Sequence, residues 1–318
     1  MKQYFVRWVE EYLFFPTPFQ TLIGILLLPF TVIYCIVTAY NRVSKKPIEF
    51  GIPVISIGNL LVGGTGKTPI TIYLARKYKK SAIILRGYKR DSKGLLVVND
   101  GKKILENVQS AGDEAIVLAK ALPNNIIIVS EDRKYGVLKA KELGCEVVFL
   151  DDGYRHHDIK KFDILIRPKK EPTNIFCLPT GGYRDTKMMY SFADLVLKEE
   201  SDFYRKVSFI KNGIQIETLP KNIVLLSAIS KADRLFEYLP ENIKSVIYED
   251  HHSFTKKDIE DFYQKYPNAS IITTIKDFVK LEQFHLKDIY VMDLDIEIIP
   301  EALTKIEKYI KQYSVDKT

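Results

Sequence analysis

The stretch from Ile52 to Ile70, IPVISIGNLLVGGTGKTPI, constrains the fold of this chain more than any other. It begins with an apolar, β-branched run typical of a buried strand, continues through a glycine-rich turn, and ends in a segment with helical apolar spacing. Glycines let backbone amides curl around a polyphosphate, and the amino end of a helix favours an anion. Lys67 can bring a positive charge to the phosphates of a nucleoside triphosphate, and Thr68 can offer a hydroxyl to Mg²⁺. The stretch therefore predicts a strand, a phosphate-binding loop and a helix.

One position of this loop departs from the usual pattern G-x-x-x-x-G-K-[ST]. The pattern asks for glycine at position 61, where this chain has Leu61, and glycines stand at 58, 63 and 64 instead. A strand-to-helix turn that binds no ligand is the alternative interpretation. We predict that the nucleotide-binding residues are Leu61, Val62, Gly63, Gly64, Thr65, Gly66, Lys67 and Thr68.

The N-terminal part of the chain has no charged residue between Tyr12 and Asn41. Its second part, Thr21 to Tyr40, is long enough as a helix to cross roughly 30 Å of hydrocarbon. The run is too long and starts too late for a secretory signal, and it lacks the polar face usual for a core helix. Pro29 can kink it, so a helix within one leaflet stays open beside a full span. We predict a membrane anchor over residues 1–46.

Charge and cysteine content narrow the class of protein. The basic residues Arg42, Lys45 and Lys46 follow the apolar run directly, which by the positive-inside rule predicts a cytoplasmic C-terminal body. A net charge of +7 suits a phosphorylated ligand or an anionic membrane surface and is too weak to indicate a nucleic-acid partner. The three cysteines form no C-x-x-C pair, which argues against a disulfide framework.

From Ile52 onward, apolar runs that read as strands alternate with amphipathic stretches that read as helices. This alternation predicts an α/β fold with a mostly parallel sheet of the P-loop NTPase type, in which ligands bind at the carboxyl ends of strands. The predicted strands lie at 52–57, 81–85, 95–98, 126–130, 146–150 and 162–166, and the predicted helices at 66–79, 111–122 and 131–143.

The alternation of strand and helix patterns is interrupted between Phe203 and Leu219. Two short apolar runs there flank Asn212-Gly213, which predicts a β-hairpin. Alternation then resumes and predicts a second, smaller α/β lobe. We expect a P-loop nucleotide-binding lobe over 47–200, a hairpin linker over 201–219 and a smaller C-terminal α/β lobe over 220–318. Two lobes joined by a narrow link can close over a ligand and exclude water.

Several carboxylates and histidines lie at strand ends and helix starts, where such a fold usually has its catalytic and ligand-binding residues. Asp151 and Asp152 end a strand, the position from which P-loop enzymes hold Mg²⁺, although Asp and Gly are also common in plain turns. Asp113 opens a helix, where a carboxylate is often only a favourable first-turn residue. His251 and His252 follow another predicted strand and suit proton handling. Arg184 and Asp185 lie in a glycine-rich loop that suits phosphate or sugar contacts, or is a solvated turn.

The joint order of these motifs resembles the tetraacyldisaccharide 4'-kinases, the lipid A 4'-kinases of Gram-negative bacteria. The resemblance extends from the apolar segment to about Leu281. The matching motifs are GNLLVGGTGKTP, RGYKR (86–90), AGDE (111–114), EDR (131–133), DDGYRHH (151–157), GGYRD (181–185), DHHSF (250–254) and TTIKDFVKL (273–281).

The resemblance implies transfer of the γ-phosphate of ATP to the 4'-hydroxyl of an acylated glucosamine disaccharide 1-phosphate in the inner membrane. It implies that Lys67 and Thr68 position the triphosphate and Mg²⁺, and that the acidic pair at 151 and 152 completes the metal site. It further implies that Asp113 is the general base, that His251 pairs with it, and that Arg184 and Asp185 contact the acceptor. No nucleic acid and no obligate protein partner is expected.

Three motifs depart from the family pattern. Tyr154-Arg155 replaces a Phe-Gln pair, Asp185-Thr186 replaces Glu-Pro, and Ile275 replaces a glutamate. These changes bear on the acceptor contacts and leave the reaction type intact. The alternative hypothesis is a membrane-tethered NTPase that acts on a protein partner.

Overall fold

The computed structural model describes residues 2–63, 66–229, 232–250 and 252–315. The helices are α1 Lys2–Phe14, α2 Pro18–Val43, α3 Lys67–Arg76, α4 Val108–Ala111, α5 Asp113–Ala121, α6 Arg133–Glu142, α7 Lys256–Lys265, α8 Ile275–Leu281 and α9 Pro300–Val315. The strands are β1 Val54–Asn59, β2 Ser81–Leu85, β3 Leu96–Asp100, β4 Ile126–Val129, β5 Val147–Asp151, β6 Phe162–Arg167, β7 Leu195–Lys198, β8 Phe203–Lys211, β9 Ile214–Ile216, β10 Ile223–Ser227, β11 Lys244–Ile247, β12 Ser270–Thr274 and β13 Ile289–Ile298. Short 3₁₀ helices cover Lys187–Phe192, Ala232–Tyr238 and Glu282–Phe284.

The chain divides into two compact units. The first consists of Met1–Lys67, Val137–Tyr204 and Ile298–Thr318, and the second of Thr68–Gly136 and Arg205–Glu297. Each unit is thus assembled from separated segments of the chain, whereas the predicted boundaries at 46, 200 and 219 follow chain order. Those boundaries stay a prediction.

In the first unit, four parallel strands lie in the order β5-β1-β6-β7. Every residue of β1 and β5 is buried, which agrees with their continuous apolar sequence. The carboxyl ends of β1 and β5 lie side by side, with Ile57 in register with Asp151. This edge therefore carries both the predicted phosphate loop and the acidic pair.

In the second unit, β2 and β4 pair in parallel and β3 pairs antiparallel with β4. A second sheet runs in the order β11-β10-β12-β13-β8-β9, and its strands β10 to β13 are parallel. The hairpin of β8 and β9 turns on Asn212 and Gly213, both with positive φ. The α/β class with mostly parallel sheets is thereby confirmed.

The N-terminal region forms two helices. Pro18 begins α2 next to the N-cap Thr17, whose side chain forms a capping box with Gln20. Within the described part of the chain, α2 is the one helix long and apolar enough to cross a membrane, with a mean hydropathy of 2.4. It extends three residues beyond the predicted run at each end.

Candidate active site

The segment after β1 carries the predicted phosphate loop, and its first residues are fixed by packing. Leu61 is buried and forms an antiparallel bridge with Tyr183, and the Val62 amide donates to the Gly182 carbonyl at 2.9 Å. Leucine rather than glycine stands at position 61 because its side chain fills an apolar cluster with Tyr183 and Phe14. Gly63 and Gly66 both have positive φ, as a tight loop requires. Gly64 and Thr65 lie outside the described residues.

Lys67 begins α3, and its ammonium group lies among polar atoms at the end of β1. Its Nζ is 3.3 Å from Oδ1 of Asn59 and 3.6 Å from Oδ1 of Asp152. Asn59 is buried, and its amide nitrogen donates to the Leu61 carbonyl at 2.8 Å. Sequence reasoning did not single out Asn59, although a polar residue at the end of a wholly buried strand was a usable signal.

The two acidic residues after β5 have different surroundings. Asp151 is the last residue of the strand and is buried, whereas the side chain of Asp152 is 45% exposed. Asp152 has a φ of 53°, in the left-handed region, which turns its side chain away from the strand. Gly153 follows because a Cβ there would lie 2.4 Å from the Cβ of Leu150. Asp152 therefore faces Lys67.

Arg184 joins the same group of side chains. Its Nη2 lies 3.0 Å from Oδ1 of Asp152, its Nη1 lies 3.2 Å from Oδ2, and Nη2 also contacts the carbonyl and the side-chain oxygen of Asn59. The Arg184 amide donates to the Leu60 carbonyl at 2.6 Å, which fixes the backbone of this loop on β1. We call Asn59, Lys67, Asp152 and Arg184 the phosphate-loop cluster. It presents two cations and a carboxylate beside a glycine-rich loop.

Asp185, the neighbour of Arg184, faces a different element. Its buried carboxylate pairs with Arg42 in the last turn of α2 and accepts a bond from the Thr186 amide at 2.8 Å. The structure thus separates the two residues that sequence reasoning grouped together. Arg184 reaches the phosphate loop, whereas Asp185 joins its own loop, residues 181–185, to α2. The predicted contacts of both residues with the acceptor stay predictions.

In the second unit, Asp113 opens α5 after Gly112, whose φ of 87° and close approach to the Tyr88 carbonyl leave no room for a side chain. The carboxylate is 6% exposed, and its Oδ2 lies 3.4 Å from Nζ of Lys280, which is equally buried. Lys280 also lies 3.2 Å from Oδ1 of Asp277. A buried ammonium group therefore stands between two carboxylates, and its charge offsets theirs within the packed interior.

Asp277 is fully buried and serves as the fixed end of this arrangement. It accepts hydrogen bonds from the Ser227 hydroxyl and the Ala228 amide, both at 2.9 Å, and from the Thr274 hydroxyl.

A second lysine lies beside Asp277. Lys276 pairs with Glu114 at 3.1 Å. Burial lowers the pKa of Lys276, but the charges of Glu114, Asp113 and Asp250 outweigh that effect and raise it above its ordinary value. We call Asp113, Glu114, Lys276, Asp277 and Lys280 the carboxylate–lysine cluster; sequence reasoning missed both lysines as functional candidates.

The histidines of the DHH motif are only partly described. His251, the predicted partner of Asp113, lies outside the described residues. The ring of His252 stacks on Tyr248 at 4.4 Å between centroids, and its Nε2 lies 3.0 Å from Oδ2 of Asp258. Asp258 in turn belongs to the capping box that begins α7. His252 thus stabilises the start of a helix.

Comparisons with known proteins agree with these motifs. The sequence matches the family described as Tetraacyldisaccharide-1-P 4'-kinase over residues 23–311. It is 53% identical over 314 residues to the tetraacyldisaccharide 4'-kinase of Aliarcobacter butzleri (strain RM4018), covering 98% of this chain and 100% of that one. It is 43% identical over 307 residues to the Helicobacter pylori (strain HPAG1) protein of the same name, covering 96% and 95% of the two chains.

The fold is also similar to a solved structure. A crystal structure of the "apo" form of LpxK from Aquifex aeolicus in complex with ATP superposes with a TM-score of 0.73 at 27% identity. The match covers 92% of this chain and 99% of that chain.

Proposed function

The chain belongs to the tetraacyldisaccharide 4'-kinase family, and we propose that its phosphate-loop cluster binds the triphosphate of ATP for transfer to a lipid acceptor. The protein is an ATP-dependent kinase of lipid A biosynthesis that phosphorylates the 4'-hydroxyl of a tetraacylated glucosamine disaccharide 1-phosphate. This family membership does not favour the alternative of a tethered NTPase that acts on a protein partner.

One observation supports the proposed nucleotide site: the side chains of Lys67 and Arg184 both contact the side-chain oxygen of Asn59. Both cations lie at the carboxyl end of β1 beside the phosphate loop, and the Asp152 carboxylate lies between 3.0 and 3.6 Å from them. An incoming triphosphate supplies oxygens that compete with Asp152 for these cations. Arg184 offers a planar pair of donors to one phosphate, and Lys67 offers a point charge to the β- and γ-phosphates. We assign Leu61 to Thr68 as the binding loop.

The residues around the loop also fit a divalent cation. Thr68, Asp151 and Asp152 offer hydroxyl and carboxylate oxygens, the ligands that Mg²⁺ prefers, and Asp151 ends the strand next to β1. In P-loop kinases this ion neutralises charge that develops on the β- and γ-phosphates. Asp151 and Asp152 would hold this ion at the carboxyl end of β5.

Asp113 is proposed as the proton acceptor. The acceptor oxygen forms a bond to the γ-phosphorus, the bond from that phosphorus to the bridging oxygen breaks, and ADP leaves. The proton of the hydroxyl passes to Asp113, whose carboxylate lies 3.4 Å from the ammonium group of Lys280. His251 matches the histidine that pairs with this carboxylate in the family. Because positioning and charge neutralisation supply most of the rate enhancement in phosphoryl transfer, a modest base suffices.

We further propose that the protein works on the cytoplasmic side of the inner membrane, where ATP is available. The exposed apolar face of α2 supports membrane association, and the acyl chains of the acceptor do not leave the bilayer. The basic residues that follow α2 suit an anionic membrane surface. No nucleic acid or obligate protein partner is required for the reaction.

The experiment is transfer of label from γ-³²P ATP, with Mg²⁺ and detergent micelles, to an acylated glucosamine disaccharide 1-phosphate. We expect labelled lipid from the wild type and a loss of at least about 100-fold in Lys67→Ala, since that charge acts on the transferred phosphoryl group. Lys169→Ala, which removes a surface ion pair with Glu200, is the matched control. Free phosphate without labelled lipid would overturn the assignment.

A further inference from the structure

The loop of residues 86–94, which follows β2, lies against the segment that leads into α5. It carries the RGYKR motif, which belongs to neither the phosphate-loop cluster nor the carboxylate–lysine cluster. The Asp91 amide donates to the Gln109 carbonyl at 2.8 Å, and the Ser92 hydroxyl donates to the Ser110 carbonyl at 2.6 Å. Both acceptors belong to α4, immediately before the start of α5. The loop is therefore bonded to the chain just ahead of the proposed proton acceptor.

Two glycines let the backbones of the two segments come into direct contact. Gly87 and Gly112 have φ values of 73° and 87°, in the left-handed region. A Cβ on Gly112 would lie 3.0 Å from the Tyr88 carbonyl oxygen, and a Cβ on Gly87 would lie 3.2 Å from the Ala111 carbonyl oxygen. Because Gly112 immediately precedes Asp113, a shift of the loop backbone moves the first residue of α5 as well.

The Arg90 side chain packs against the same glycine of the loop. A Cβ on Gly87 would lie 2.5 Å from Cδ of Arg90 and 2.9 Å from its Nε. The Arg90 side chain is only 2% exposed, and its Nη2 lies 2.6 Å from Oε1 of Glu131 and donates to the Gly94 carbonyl at the end of the loop. A buried cation depends on an opposing charge, so the packing of this side chain depends on Glu131.

Glu131 is placed by strand β4. It follows Ser130, whose amide donates to the Leu85 carbonyl at 3.0 Å and thereby joins the carboxyl ends of β4 and β2. Burial tends to raise the pKa of Glu131, but the hydrogen bond from Arg90 and one from the backbone outweigh that effect and lower the pKa below its ordinary value. The sheet therefore presents a fixed carboxylate to the arginine of the loop.

We propose that Arg90 and Glu131 are positioning residues for phosphoryl transfer: their ion pair holds the 86–94 loop on Gly112 and so sets the position of Asp113. The side chain of Asp113 contacts Lys280, whereas the chain that leads into it is packed against the loop. A proton acceptor must lie within hydrogen-bond reach of the hydroxyl, and a displacement of about 1 Å can lower the rate about 100-fold. The inference rests on the proposed role of Asp113 and adds how its position is set.

The test is a double-mutant cycle of Arg90→Met and Asp113→Asn in the lipid phosphorylation assay. We expect Arg90→Met to lower kcat about tenfold and to leave KM for ATP within about twofold, because the phosphate-loop cluster lies in the first unit. In the Asp113→Asn background the same change should lower the remaining rate by less than about twofold. An equal loss in both backgrounds would show that Arg90 does not act through Asp113 and would overturn the proposal.

Glu131→Gln is a milder variant that keeps the side-chain shape at a half-exposed position, so it tests the proposal even if Arg90→Met fails to fold. It should lower kcat about three- to tenfold, again with less effect in Asp113→Asn. Glu297→Gln, which removes the exposed partner of Lys206, is the matched control and should keep wild-type kcat. Wild-type kcat in Glu131→Gln, with Asp113→Asn impaired, would overturn the positioning role alone. Wild-type kcat in Asp113→Asn would remove the proposed proton acceptor and this inference with it.

Discussion

Arg184 and Asp152 form a two-point ion pair, with Nη2 3.0 Å from Oδ1 and Nη1 3.2 Å from Oδ2. The backbone of Arg184 is bonded to Leu60 on one side and to Tyr34 of α2 on the other. The guanidinium group is therefore aimed at the phosphate loop by the same contacts that hold residues 181–185 against α2. The arrangement connects the candidate nucleotide site to the apolar N-terminal helix.

We expect Arg184→Lys to lower turnover by about 10- to 100-fold. Lysine keeps the charge but loses the planar pair of donors that can bind one phosphate at two points. Steady-state kinetics with ATP and the lipid acceptor measure the change, and an unaltered melting temperature would show that the fold is intact. Turnover equal to that of the wild type would mean that Arg184 only holds the loop in place.

Lys280 is expected to be needed for full stability and turnover. It is a buried cation in contact with both Asp113 and Asp277. In Lys280→Met two buried carboxylates lose the charge between them, so we expect a loss of about 3 kcal/mol in the free energy of unfolding and at least about tenfold lower turnover. Denaturant unfolding and steady-state kinetics measure the two effects.

The conservative variant provides the control for this prediction. Lys280→Arg keeps a cation between the two carboxylates and should retain most of the stability and turnover. Wild-type stability and turnover in Lys280→Met would show that the two carboxylates do not depend on this lysine.

Gly182→Ala should destabilise the protein, because its Cβ would lie 2.3 Å from the ring of Phe14. The clash falls where the backbone of Gly182 is hydrogen-bonded to Leu13 of α1 and to Val62 of the phosphate loop. We expect a loss of about 1–3 kcal/mol in the free energy of unfolding, together with lower affinity for ATP. Denaturant unfolding and nucleotide titration measure the two effects.

A double variant tests the cause of this effect. Removal of the Phe14 ring in Gly182→Ala/Phe14→Ala opens the space that the new methyl group needs. The double variant should therefore be more stable than the sum of the two single changes predicts. Strict additivity would show that the clash is not the reason.

His157 makes the stability of the protein depend on pH in the acidic range. Burial, assisted by the charges of Lys161 and Arg42, lowers the pKa of His157 to about 4 from its ordinary value of 6.5. Between these values the unfolded chain binds a proton that the folded chain does not, so stability is full above pH 6.5 and falls towards pH 4.

The size of this effect is about 1–2 kcal/mol, since the ring is only partly buried and solvent screens its surroundings. Thermal unfolding of His157→Gln between pH 4 and 7 should show a smaller fall in melting temperature than the wild type. An identical fall in the two proteins would assign the acid sensitivity to other groups.

Local signals in the sequence were sufficient for much of the fold. The run before Asn59 predicted a buried strand because a continuous apolar stretch has few other places to lie, and Asn212-Gly213 predicted the hairpin because few residues accept its backbone angles. The order of motifs predicted the family, which the comparisons confirm. Strand β7 and helix α1 were not predicted, since their short or charged sequences carry weak periodicity.

The site itself depended on contacts between distant parts of the chain. The sequence by itself determined that Lys67 follows a glycine-rich turn, that Asp113 opens a helix and that α2 is apolar, because these properties depend on neighbouring residues. Only the tertiary structure decided that Arg184 reaches Asn59 across 125 positions, that Lys280 stands between Asp113 and Asp277, and that Asp185 binds Arg42 instead. Side-chain pairing of this kind depends on how strands, helices and loops pack in three dimensions, which local periodicity does not encode.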